Sequence, residues 1–210
     1  FWDYAGGLMT DWGVHEIDIA LYAMEANAPV SVMATGGKLA YPDDASETPD
    51  TLQAVFEYEN FNMLWEHATG IDNGPYSRRE GIAFIGNNGT LVVDRGGYEV
   101  MVEKEADGYS AWGKAKMESI EAYKKPEEPN YLDLHTRNFV EAIKKNDQGA
   151  LHTPIRSGSV AATNAQMGNI AYRTGSKVFW DQREDKFRDN EEANKFITPV
   201  YRNGWALPVV

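Results

Sequence analysis

Between residues 30 and 102 the chain is cut into short apolar, β-branched segments by turn signals that leave no room for helices between them. Val30 to Leu39 is one such segment. Leu52 to Tyr58 and Asn62 to Thr69 alternate around Glu59-Asn60 and predict an antiparallel hairpin. Gly81 to Ile85 and Thr90 to Val93 flank Gly86-Asn87-Asn88-Gly89, where Asn-Gly is a strong hairpin turn signal. Gly96-Gly97 then turns the chain into Tyr98 to Val102. Strands joined this tightly pair with their sequence neighbours, which predicts a wide, mostly antiparallel sheet.

Helical periodicity flanks the strands. Val14, Ile17, Leu21 and Met24 form one apolar stripe, predicting a helix over about Leu8 to Met24 that fades at Asn27-Ala28-Pro29. After the strands, Glu105 to Pro129 reads as a long polar loop. Leu132 to Lys145 then carries Leu132, His135, Phe139 and Ile143 on one face. Ser157 to Arg173 carries Val160, Ala161, Met167, Ile170 and Ala171, with Gly175 placed as a C-cap glycine. A short strand at Val178 to Trp180 and an acidic helix at Asn190 to Lys195 complete the tail. Helix, strands, helices is an α+β order, with helices on one face of the sheet and the other face left for self-association into a dimer or tetramer.

A length of 210 residues with 42% hydrophobic residues supports one sizeable core. The net charge of -12 repels phosphate backbones and anionic lipid, so nucleic-acid and membrane-surface roles are disfavoured. No cysteine is present, which excludes disulfides, thiolate metal sites and cysteine nucleophiles. The opening Phe1-Trp2-Asp3-Tyr4 reads as a cut inside a longer protein, whose targeting segment would lie upstream and whose compartment, cytoplasmic or periplasmic, stays open. No GxGxxG follows a strand, so a dinucleotide-binding unit is not expected within these residues.

The chemistry concentrates in Gly6-Gly7-Leu8-Met9-Thr10-Asp11-Trp12-Gly13-Val14-His15-Glu16-Ile17-Asp18. Asp11 and His15 are spaced to share a helix face one turn apart, behind a glycine turn that permits close approach of a backbone or ligand. An imidazole beside a carboxylate is a general acid/base suited to neutral pH. The spacing alone also suits a packed helix histidine with an exposed aspartate. Two such ligands do not hold zinc, and no metal is expected.

This segment resembles the GG-x-x-x-D-x-G-x-H-x-x-D signature of the glucose–fructose oxidoreductase / inositol dehydrogenase (Gfo/Idh/MocA) family. Gly81 to Leu91 resembles its F-x-G-x-x-G-T-L hairpin, and His135-Thr136-Arg137-Asn138-Phe139 its H-x-R-N-F helix start. Gly168 to Arg173 and Val178 to Asp181 resemble its closing helix and strand, and Glu192 to Lys195 with Tyr201 to Trp205 the tail of one subgroup. The resemblance implies the C-terminal substrate and oligomerisation domain, 1–210, of an NAD- or NADP-dependent oxidoreductase, with a fold like the C-terminal part of glyceraldehyde-3-phosphate dehydrogenase. It implies an upstream Rossmann domain that holds the cofactor, so that these residues alone neither bind NAD(P) nor turn over alcohols. It implies a sugar, cyclitol or derivative as substrate, homo-oligomerisation through the open sheet face, and catalytic roles for His15 and Asp11. Trp12, Tyr76, Arg78 and His67 are further candidates for contacting substrate, each with a packing alternative; Asp18 either orients His15 or is a structural carboxylate. Two other functional readings are a non-catalytic ligand-binding or dimerisation module, and a family member that uses its cofactor for redox-assisted glycoside cleavage.

Overall fold

The computed structural model describes residues 1–106, 108, 113–198, 200–206 and 208. Its elements run α1 (Trp12–Met24), β1 (Ser31–Gly37), β2 (Thr51–Glu57), β3 (Asn62–Ala68), β4 (Ile82–Ile85), β5 (Gly89–Asp94), β6 (Gly97–Val102), β7 (Tyr123–Lys124), α2 (Tyr131–Lys145), α3 (Ile155–Thr174), β8 (Val178–Asp181), β9 (Lys186–Phe187) and α4 (Glu191–Asn194). Every pairing between these strands is antiparallel, and the fold is α+β as expected.

The strands divide into two sheets, ordered β3-β2-β1-β8-β9 and β4-β5-β6-β7. The break falls after β3, where Gly74, Pro75 and two residues with left-handed backbone, Tyr76 (φ 58) and Ser77 (φ 57), carry the chain away. The free edge of β1 is taken instead by β8 from the tail. The chain accordingly forms two compact units, one of residues 1–70 and 156–210, the other of residues 71–155.

In the first unit the strands alternate as the pleat requires. Val32, Leu52, Ala54, Phe56, Val178 and Trp180 are buried with Ile17 and Leu21 of α1 and Ala165, Met167 and Ile170 of α3 in one apolar cluster. Both helices therefore supply one face of this sheet. On the other face Met33, Val55 and Leu64 are cross-strand neighbours in a single row, and all three are exposed, as is Phe179 of β8. Asn164 of α3 is buried and fully used: it accepts from the Tyr58 hydroxyl at 2.7 Å and donates to the carbonyls of Asn27 and Val160.

In the second unit the β4–β5 hairpin forms at the Asn-Gly turn, with Ile85 opposite Thr90. The segment read as a loop over 105–129 contains β7, which pairs with β6 where Tyr98 stacks on Tyr123 at 5.6 Å; residues 107 and 109–112 of that segment lie outside the described residues. Helix α2 is capped by the Asn130 side chain, which accepts from Leu132 N–H. Its apolar stripe is present, but Leu132, Phe139 and Ile143 are exposed and Ala142 is its buried residue.

Candidate active site

The helix predicted from Leu8 begins four residues later. Gly7–Met9 forms a 3₁₀ turn, and Asp11 is the N-cap of α1, with φ -89° and ψ -86° outside the helical range. Gly7 requires its left-handed φ of 63°, and the Thr10 and Asp11 N–H groups both donate to its carbonyl, at 3.1 and 3.0 Å. The close approach that Gly6 permits is to the chain itself: a Cβ there would lie 2.5 Å from Asn169 Nδ2 and 2.4 Å from Thr10 Oγ1. Thr48 fills the space beside Gly7 in the same way, 2.7 Å from where a Cβ would stand.

Asp11 makes no side-chain capping bond and is exposed. His15 is exposed one turn further on, with the Trp12 ring edge-on at 6.1 Å between centroids. The carboxylate electrostatically coupled to the imidazole is Asp18, on the following turn. Burial raises the Asp18 pKa and the charge of His15 opposes that rise. Asp11, Trp12, His15 and Asp18 thus occupy the start of one helix, whose opposite side is anchored in the core by Ile17 and Leu21.

His67 is buried on β3 and both of its ring nitrogens are engaged. Nδ1 accepts from Trp65 Nε1 at 3.0 Å, which leaves Nε2–H to donate to the Pro49 carbonyl at 3.1 Å. Burial pushes its pKa down, against the Pro49 carbonyl and the charge of Asp50, so the neutral ring is favoured. These bonds suit the packing alternative. The neighbouring Asp50 is a loop-closing carboxylate. Burial pushes its pKa up, but the N–H groups of Tyr41, Leu39 and Ala40 and the Thr51 hydroxyl outweigh that and hold it at about 2.

Tyr76 and Arg78 belong to the second unit and line an open depression of about 500 Å³ with Asp94 and Glu99. Arg78 pairs with Asp94 and, at 2.7 Å, with Glu99. Asp94 is itself held by the Gly96 and Gly97 N–H groups at 2.6 and 3.1 Å. Arg78 is thereby committed to two carboxylates, while the Tyr76 ring remains exposed. No group of three or more His, Asp or Glu side chains among the described residues is arranged to hold a metal, and no helix among them is long and apolar enough to cross a membrane.

Asn169 lies within the Gly168 to Arg173 segment that resembles the family's closing helix, but nothing in its sequence context gives it a role at the site. It is 2% exposed and donates from Nδ2 to the Gly6 carbonyl at 2.8 Å, across 163 positions of chain. The signal available in the sequence is a polar residue between Met167 and Ile170 on the apolar face of α3. Its partner is a backbone carbonyl remote in sequence, which no local pattern reveals.

Residues 1–92 match the model of the GFO/IDH/MocA C-terminal domain, and residues 115–207 match that of the oxidoreductase family C-terminal alpha/beta domain. No curated protein matches the sequence significantly. Among solved structures, the chain is similar in fold to a putative oxidoreductase, yvaA, from Bacillus subtilis (TM-score 0.57, 14% identity, covering 85% of this chain and 54% of that one). It is similar to a putative oxidoreductase from Klebsiella pneumoniae (0.56, 16%, 93% and 53%). It is also similar to the WlbA dehydrogenase from Bordetella pertussis, determined in complex with NADH and UDP-GlcNAcA (0.55, 15%, 86% and 48%). The chain spans about half the length of these structures. Two C-terminal models matched in series along one chain, on an antiparallel α+β fold shared with oxidoreductases, mean that this chain belongs to the Gfo/Idh/MocA family of oxidoreductases and matches its C-terminal domain.

Proposed function

We propose that the chain is the substrate-side domain of a nicotinamide-dependent dehydrogenase acting on a sugar, cyclitol or derivative, with His15 as the acid/base for the substrate hydroxyl. The observation that carries this reading is the start of α1. His15 is exposed there beside the Trp12 ring, and Asp11 precedes it with a carboxylate not used for capping. His15 takes the hydroxyl proton, Asp18 on the following turn orients the imidazole, and Asp11 accepts a hydrogen bond from a second substrate hydroxyl. Sugar-type chemistry is supported by the family and by the UDP-GlcNAcA named with the Bordetella dehydrogenase.

The glycine turn before α1 does not fit the cofactor's phosphates. The glycine pair before α1 is filled by Thr48 and Asn169, which leaves no room for a pyrophosphate at that turn. We assign the nicotinamide cofactor to an upstream domain, in keeping with the half-length coverage of the related structures. The exposed row Met33, Val55 and Leu64, with Phe179, supports self-association through the open face of the first sheet.

The decisive experiment is His15→Ala in the protein joined to its cofactor domain, screened by NADH formation over sugars and cyclitols. A fall in kcat of about 10²–10⁴-fold with unchanged NAD affinity is expected. A folded His15→Ala enzyme with wild-type kcat would return His15 to an ordinary surface histidine. Calorimetric titration of the 210-residue chain alone should show no micromolar NAD(P) binding. Leu64→Arg should lower the mass measured by light scattering; an unchanged mass would remove the sheet face from the interface.

A further inference from the structure

We propose that Asn169 is the positioning residue for the catalytic turn, acting from α3 on Gly6 and through Gly6 on the placement of Asp11 and His15; this rests on the role given to His15 above.

Two buried asparagines stand on α3 and differ in one respect. Asn164 uses both halves of its amide, as acceptor for Tyr58 and donor to Asn27 and Val160. Asn169 uses its Nδ2 on the Gly6 carbonyl, while its Oδ1 is buried with no hydrogen-bond partner among the described residues. A half-satisfied buried amide carries a desolvation penalty that an apolar side chain of the same shape would avoid. The bond to Gly6 is what the amide provides in return. The donor's direction is unambiguous, because a carbonyl can only accept.

The surroundings direct this bond onto the site. Gly6 has no space for a side chain because Asn169 and Thr10 occupy it. Gly168, the preceding residue of α3, admits Met9 in the same manner: a Cβ at Gly168 would lie 2.8 Å from the Met9 sulfur. Met9 is 1% exposed and belongs to the 3₁₀ turn. The Gly168-Asn169 pair thus seats the turn at two adjacent points, one apolar and one polar. Beyond Gly6, the Gly7 carbonyl receives the Thr10 and Asp11 N–H groups, and α1 begins at Trp12. An apolar seat is non-directional and leaves the turn free to rotate about it. The Asn169 amide, bonded to the backbone itself, sets that rotation.

The test is Asn169→Leu, which keeps the side chain's shape and removes the donor, read in two ways. In the 210-residue chain, amide hydrogen exchange at Thr10 and Asp11 should accelerate about tenfold or more, with α3 amides at Ala165 and Ala171 unchanged. In the protein joined to its cofactor domain, kcat on the substrate found by the screen should fall about tenfold with the KM for NAD unchanged, and Asn169→Gln should recover part of the loss. Exchange that is unaltered at Thr10 and Asp11, or that rises equally in α3, overturns the proposal, as does an unchanged kcat. If the wild-type enzyme oxidises no sugar or cyclitol, the reading of His15 fails on its own, and the exchange measurement still decides whether Asn169 holds the turn.

Discussion

The two units of this chain hold together by different means. In residues 1–70 and 156–210 one apolar cluster joins a sheet to α1 and α3, with Phe56, Leu52, Met9 and Ile17 fully buried. In residues 71–155 the buried apolar side chains among the described residues are Val92 and Ala142. That unit relies on strand pairing and on Arg78, which ties the segment before β4 to Asp94 on β5 and Glu99 on β6. Alternation along a strand therefore has different consequences in the two places. In the first unit it meets helices of matching apolar face, and in the second it leaves Ile85, Met101 and the α2 stripe exposed. The proposed acid/base lies in the unit whose backbone is set by a core, which suits a group that must be placed to within a fraction of an ångström.

The contrast can be broken most severely at Phe56. Phe56→Ala should cost about 3–5 kcal/mol in chemical denaturation, because it opens a cavity beneath both helices. A loss below about 1 kcal/mol would mean that the first unit is not organised by its core. Arg78→Leu should cost the second unit about 1–3 kcal/mol, since it strands two partly buried carboxylates, and its effect should shrink in high salt. An effect no larger than that of an exposed ion pair would leave strand pairing alone to account for this unit. Tyr76→Gly should stabilise by about 0.5–1 kcal/mol by relieving a left-handed backbone at an exposed residue. A destabilised Tyr76→Gly would show that the ring makes contacts worth more than the strain.

The smallest effect expected is a pH dependence confined to the first unit. The folded pKa of His67 lies below its unfolded value of about 6.5, so the unfolded chain binds the extra proton first. Stability contributed by the neutral ring is fully present above about pH 6.5 and declines as pH falls through that value. Asp50 behaves oppositely in cause and is met later: its folded pKa of about 2 keeps its contribution intact until pH drops below about 4. His67→Phe should flatten the decline between about pH 6.5 and 5 in thermal melts, and an undiminished slope would place the titrating group elsewhere.

Much of this molecule is legible in its residues. The helix, strands, helices order, the Asn-Gly hairpin, the apolar stripes of α1 and α3 and the family signature around His15 all depend on neighbours within a few positions, where periodicity and turn chemistry act directly. The start of α1 lies about one turn later than the predicted Leu8, because Gly7 and Asp11 take backbone angles that interrupt the helix. Two sheets in place of one, β8 completing the edge of β1, and an exposed stripe on α2 are not legible, since each depends on which distant segment arrives at a free edge or face. The site divides along the same line. Spacing along one helix is enough to bring His15 and Asp18 together, while Asp11 stands at the N-cap just before them. That the Gly6-Gly7 turn closes on Thr48 and Asn169 rather than opening to a ligand is decided in three dimensions, because the Asn169 amide and the Gly6 carbonyl meet only once α3 has packed against the sheet.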